Sequence, residues 1–209
     1  MHSRKVFLLI AIGIVTAFAG ALAARWILQS PQGTVTELQS GTRLWPPKSL
    51  PDFALLDQDA QPFGNAQLVG HWNLLFFGFT NCGDVCPTTL ALLAKTRLSL
   101  TDLPVKTQPQ VVFFSVDTKR DTPERVKQYV HNFDPSFIGV TGTQQEVEKL
   151  TNALGVPSAI RLADNGIYAV DHSAAILAID PSGKLAALFT PPQTLDGLAL
   201  DYRRLTGTQ

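Results

Sequence analysis

Two unbroken apolar runs constrain this chain more than anything else in it: residues 73–79 (NLLFFGF) and 110–116 (QVVFFSV). A strand with one wet face alternates apolar and polar residues, and these do not. Each run is also too short for a buried helix. They read as central strands of a sheet covered on both faces. Helix signals follow each of them. After the first, Pro87 opens a segment with Leu90, Leu93 and Ala94 at helical spacing, to about residue 98. After the second, Thr122 is a good N-cap, Pro123 suits the first helical position, and Glu124 follows, with the helix running to about residue 132. Residues 143–154 and 193–205 are further helices, and 168–170, 174–179 and 185–189 are strands, the last two joined by the turn Pro181-Ser182-Gly183-Lys184. Upstream, 51–56 and 61–63 form a short hairpin turning at Asp57-Gln58-Asp59. Parallel strands with crossover helices thus come first and an antiparallel hairpin later. This is an α/β chain, and a thioredoxin-like mixed sheet flanked by helices is the best match.

Ahead of this domain lie two other segments. Residues 6–24 carry 19 residues with no charge. As a helix they span roughly 28 Å, close to the hydrocarbon thickness of a bilayer. Arg4 and Lys5 precede the run, so a transmembrane anchor with a cytoplasmic N-terminus is expected. Ala21-Leu22-Ala23 also fits a signal-peptidase site, and either way the remainder is exported. The short N-terminus lacks an Arg- and Ser-rich transit segment, which favours a bacterial inner membrane, single-pass, with the domain in the periplasm. Residues 1–25 are then cytoplasmic tip and anchor, 26–49 a polar, turn-rich tether, and 50–209 the folded domain. The whole chain has 17 basic and 17 acidic residues; without Arg4, Lys5 and Arg25 the exported part keeps 14 bases against 17 acids, a charge of −3. Such a surface is not built for nucleic acid.

The only two cysteines, Cys82 and Cys86, lie in FTNCGDVCP, after the first buried strand and at the start of a helix. Active groups collect beyond the C-terminal ends of strands in open α/β sheets. A helix N-terminus also favours thiolate. At this spacing two sulfurs share one side of a turn, able to join as a disulfide or to hold one metal. Thioredoxin-type enzymes use one residue fewer between the cysteines. A buried staple is a poor use of so small a loop. Zinc wants four ligands, whereas two soft thiolates with an imidazole suit copper. Of four histidines, His2 precedes the apolar run, His71 is at the wrong end of its strand, and His131 is near a helix C-terminus. His172 interrupts a strand-like stretch and is the one that could join the cysteines, with Asp171 either its orienting partner or a turn residue.

Three segments carry a resemblance. FFGFTNCGDVCPTTL (76–90), SVDTKRDTPERV (115–126) and VDHSAAILAIDPSGK (170–184) resemble the signature segments of the Sco/SenC family, in order and behind an anchor. The likeness covers residues 50–205. It implies a thioredoxin-like fold, copper as Cu(I) or Cu(II), and a metallochaperone that helps assemble the dinuclear copper centre of cytochrome c oxidase subunit II or a similar exported copper protein, served by an upstream copper donor. Cys82, Cys86 and His172 match family ligand positions, and Asp117 a position near the site. The alternative is a thiol–disulfide oxidoreductase that keeps the client's cysteines reduced through Cys82 and Cys86. Gly83 stands where many members have proline, Asn81 where many have histidine, and Thr118 replaces a common proline; none of these removes a ligand.

Overall fold

The computed structural model describes residues 38–162 and 168–208, with positions 13, 16 and 20 of the N-terminal stretch. Residues 1–36 and 37–209 are two separate units. Of the first, Gly13, Thr16 and Gly20 are helical, and the rest of the expected anchor lies outside the described residues. Among the described residues no helix is long and apolar enough to cross a membrane.

In the second unit the strands are β1 (Gly41–Ser49), β2 (Leu55–Asp57), β3 (Pro62–Phe63), β4 (Asn73–Gly78), β5 (Gln110–Ser115), β6 (Ile138–Thr141), β7 (Ala159–Leu162), β8 (Tyr168–Asp171), β9 (Ile176–Ile179) and β10 (Lys184–Phe189). The helices are α1 (Val85–Ser99), α2 (Pro123–His131), α3 (Gln144–Leu154) and α4 (Leu195–Thr206). Eight strands form one mixed sheet in the order β1-β10-β9-β4-β5-β6-β2-β3, while β7 and β8 pair apart from it. β4, β5 and β6 run parallel, β9 lies antiparallel to β4, and β10 lies antiparallel to β9. This is the expected thioredoxin-like arrangement.

The double burial read from β4 and β5 has a simple cause. Leu74, Phe76, Val111 and Phe113 face a core formed with α1, α2 and α4. Leu75, Phe77, Val112 and Phe114 face a second core with α3 and the β2–β3 hairpin. Each fully buried Phe or Leu contributes about 1.5–3 kcal/mol, so none of these eight positions turns polar cheaply. Thr122, Thr143 and Thr194 cap α2, α3 and α4, each accepting from a backbone N–H three residues on.

Two differences from the sequence expectation matter. The stretch taken as tether, 26–49, contains β1 from residue 41 onward, paired with β10. Its Pro46 and Pro47 sit where the pairing register breaks, between Arg43 and Lys48, so the missing N–H donors cost no ladder bond on this edge strand. Helix α1 begins at Val85, not at Pro87. Cys86 is therefore inside its first turn.

Register explains the placement of the site. Gly78 pairs with Ser115, so the loops leaving β4 and β5 emerge side by side. β9 runs against β4 with Ile176 opposite Phe76, so the chain entering β9 arrives at the same end. His172 is on that entering segment.

Candidate metal centre

Cys82 lies on the loop leaving β4, Cys86 on the first turn of α1, and His172 directly after β8. Ligand atoms of all three lie within 4.8 Å of one another. Both cysteines are free. The Cys86 backbone N–H points at Cys82 Sγ at 3.4 Å, and Cys86 Sγ is 3.3 Å from His172 Nε2. Cys86 is fully buried, whereas Cys82 and His172 are partly exposed.

The Cys86 sulfur fills a slot the strand provides. A Cβ on Gly78 would stand 2.7 Å from that sulfur and 2.9 Å from the Phe113 ring, so the residue must be glycine for the sulfur to sit there. Burial pushes the Cys86 thiol well above the usual thiol range; a hydrogen bond with the Phe79 backbone lowers it, and the neighbouring Cys82 raises it further. The helix N-terminus was expected to favour thiolate, and at Cys86 desolvation outweighs it.

The loop bearing Cys82 is tied down by the carboxylate of Asp121. Asp121 is buried and accepts from Thr80 N (2.9 Å), Thr80 Oγ1 (2.6 Å) and Ser115 Oγ (2.6 Å). Arg125 adds bonds to Thr80 Oγ1 at 2.8 Å and to Asn81 Oδ1. The end of β4, the end of β5 and α2 are thereby knitted around the residues preceding Cys82. No motif in one sequence distinguishes this aspartate from its neighbours; its burial is the signal.

His172 is held differently. Its Nδ1 faces the Ser173 carbonyl at 3.1 Å, and Phe76 and Phe79 meet its ring edge-on at centroid distances of 6.0 and 5.6 Å. Asp171 is not the group at Nδ1: its half-exposed carboxylate pairs with Arg161 across β7–β8. Asp117 is fully buried and stands outside the three-residue group; it pairs with Arg120, whose guanidinium lies 5.9 Å over the Phe79 ring. Arg120 and Phe79 thus link Asp117 to His172. His131 bonds Gln58 and His71 lines a separate cavity with Asp57 and Asp59. His2 lies outside the described residues.

Two sulfurs and one imidazole nitrogen make a soft, low-coordinate donor set, and among the described residues no carboxylate joins it. It is short of the four ligands zinc prefers and fits copper.

Known proteins are similar to this chain in sequence and fold. The "SCO2-like protein" of Rickettsia felis is 33% identical over 190 residues, 88% of this chain and 89% of that protein. The apo Sco1 protein of Thermus thermophilus superposes with a TM-score of 0.71 at 36% identity, over 83% of this chain and 99% of that one. Arabidopsis thaliana ScoI, a structure with copper bound, gives a TM-score of 0.70 at 28% identity, over 76% and 98%. A family model described as SCO1/SenC matches residues 45–207, a span that takes in both cysteines, the histidine and every element that positions them, and the chain belongs to that family.

Proposed function

We propose that this protein is a copper metallochaperone, carrying copper on Cys82, Cys86 and His172 and handing it to an exported copper protein. The convergence of two free sulfurs and an imidazole within 4.8 Å carries the reading. The structure of a relative with copper bound supports it. Buried Cys86 and the imidazole retain the metal, and partly exposed Cys82 is the ligand an acceptor meets first. Release is then ligand exchange, with no catalytic turnover. The acceptor is cytochrome c oxidase subunit II, where the copper builds the dinuclear centre, and an upstream donor loads the site. The 19-residue apolar run holds the chain in a bacterial inner membrane with the domain in the periplasm.

A second reading is favoured by the free state of the two neighbouring cysteines. A thiolate would attack a disulfide in the client and the other cysteine would resolve the mixed disulfide. The client gains two thiols, Cys82 and Cys86 become a disulfide, and an exported dithiol reductant restores them.

Anaerobic Cu(I) titration of the reduced protein separates the two. Wild type is expected to take up one copper, with Cys82→Ser and His172→Ala losing retention. His172→Ala should keep thiol–disulfide exchange. Wild-type copper affinity in His172→Ala would sink the ligand assignment. Oxidase assembly that survives loss of copper binding would favour the reductase.

A further inference from the structure

Phe79 is where the sulfur side and the histidine side of the centre meet. Its carbonyl accepts the Cys82 backbone N–H at 3.2 Å, and its ring stands T-shaped to the His172 imidazole, 5.6 Å away at 85°. The ring packs against both cores, yet Phe79 is only partly buried. A guanidinium supplies further cover: Arg120 Cζ lies 5.9 Å from the ring centroid, within cation–π reach. Arg120 pairs with Asp117, and the pair is lopsided, with the carboxylate fully buried and the arginine side chain 32% exposed. Asp117 is fixed in place just past the end of β5. Its N–H donates to Ser115 Oγ at 3.2 Å, and its carbonyl accepts from the Arg120 and Asp121 N–H groups at 3.1 and 3.0 Å. Desolvating a carboxylate offsets most of what an ion pair returns, so stability alone is a poor account of this one.

We propose that Arg120, fixed by Asp117, is a positioning residue for His172 that acts through the Phe79 ring. The guanidinium plane confines the Phe79 ring, and that ring confines the imidazole to the orientation that puts Nε2 3.3 Å from Cys86 Sγ. The Ser173 carbonyl at Nδ1 belongs to the same segment, so it fixes the imidazole relative to its own backbone and not to the sulfurs. Phe76, inside β4, and Phe79 are the ring contacts that tie the histidine to the sulfur side. The position asks for an arginine, because a lysine ammonium is a hydrated point charge with no plane to lay on a ring. The positioning is a property of the metal-free chain; its consequence for metal retention rests on the copper reading of the site.

Arg120→Lys keeps a cation beside Asp117 and removes the planar contact. The full chain in detergent, reduced and metal-free, is read by NMR through the His172 ring protons, assigned by their absence from His172→Ala. Phe76 and Phe79 impose ring-current shifts on those protons, so a reoriented imidazole moves them. In Arg120→Lys they are expected to move toward the values of an unstructured histidine while the amide resonances of β4 and α1 stay in place. Lys119→Ala, which removes the adjacent exposed cation, should leave both sets unchanged. Cu(I) affinity, measured by chelator competition, should fall about two- to fivefold in Arg120→Lys, the scale of an exposed cation–π contact. On a Phe79→Leu background the same change should cost nothing further. Unmoved His172 protons in Arg120→Lys overturn the proposal. So do β4 and α1 amides that move with them, an equal shift in Lys119→Ala, or a full additional loss of affinity on the Phe79→Leu background. A wild type that takes up no copper, with the ring protons responding as expected, would remove the copper reading and leave the positioning role standing.

Discussion

The two sides of the metal centre are built on different principles. The sulfur side belongs to the core: Cys86 is fully buried against Gly78 and Phe113, and the Cys82 loop is bound through Thr80 to buried Asp121. The histidine side is peripheral. His172 follows a two-stranded sheet that stands apart from the main one, and one carbonyl and two ring edges hold it. The domain thus fixes the two sulfurs as part of its own stability and brings the third candidate ligand by a lightly attached segment. Folding and metal retention should therefore separate at His172 and be inseparable at the sulfurs.

The strongest way to break this contrast is Asp121→Ala against His172→Ala. Removing Asp121 leaves the Ser115 hydroxyl and the Thr80 amide without their acceptor, and should cost about 2–4 kcal/mol in chemical denaturation. Removing the partly exposed His172 side chain should cost under about 1 kcal/mol while copper retention is lost. Equal costs would mean the histidine segment is as integral as the sulfur platform. Next in size is Gly78→Ala. The added methyl would overlap the Cys86 sulfur and the Phe113 ring, so about 1–3 kcal/mol of overpacking strain is expected. Copper affinity should fall with it, read by chelator competition on the folded variant. A variant as stable as wild type with full affinity would show the slot to be looser than the packing implies.

The sulfur platform was more legible in the sequence than the histidine side, for a physical reason. Runs 73–79 and 110–116 announce strands through double burial, and the cysteines follow one of them directly. His172 enters the group through an antiparallel pairing of β9 with β4, a long-range fact that periodicity does not carry; it was reached by elimination and by resemblance. Asp171 beside it was expected to orient the ring and instead pairs with Arg161, because adjacency in sequence does not decide where a carboxylate turns at the end of a strand. Gly78 and Asp121 could not be picked out at all. A glycine inside an apolar strand looks like a weak strand residue, and an aspartate before a helix looks like a cap. β1 was hidden by its two prolines, which an edge strand tolerates at a register break.

The sulfur side also sets a pH dependence. Burial, set against the Phe79 hydrogen bond, keeps Cys86 a thiol through the neutral range. Copper takes thiolate, so loading must expel that proton, and affinity rises with pH. For one proton the slope is about tenfold per pH unit, and it persists until pH passes the raised value. Isothermal titration in buffers of different ionisation enthalpy counts the protons. A pH-independent affinity between 6 and 8 would mean that Cys86 is already ionised before metal arrives.

The smallest effect belongs at the edge of the histidine side. Arg161 and Asp171 join β7 to β8 as an ion pair, with side chains 71% and 55% exposed. At that exposure water screens the attraction and both side chains give up rotamer freedom to make it, so such pairs contribute about 0–1 kcal/mol. Arg161→Gln should therefore shift the denaturation midpoint barely measurably. It should also leave copper affinity within about fivefold, since the carboxylate it releases does not face His172 Nδ1 and about 1 kcal/mol is the most the pair can transmit. A drop in affinity of tenfold or more would show that the β7–β8 pairing, and not the Ser173 carbonyl with Phe76 and Phe79, holds the imidazole at the sulfurs.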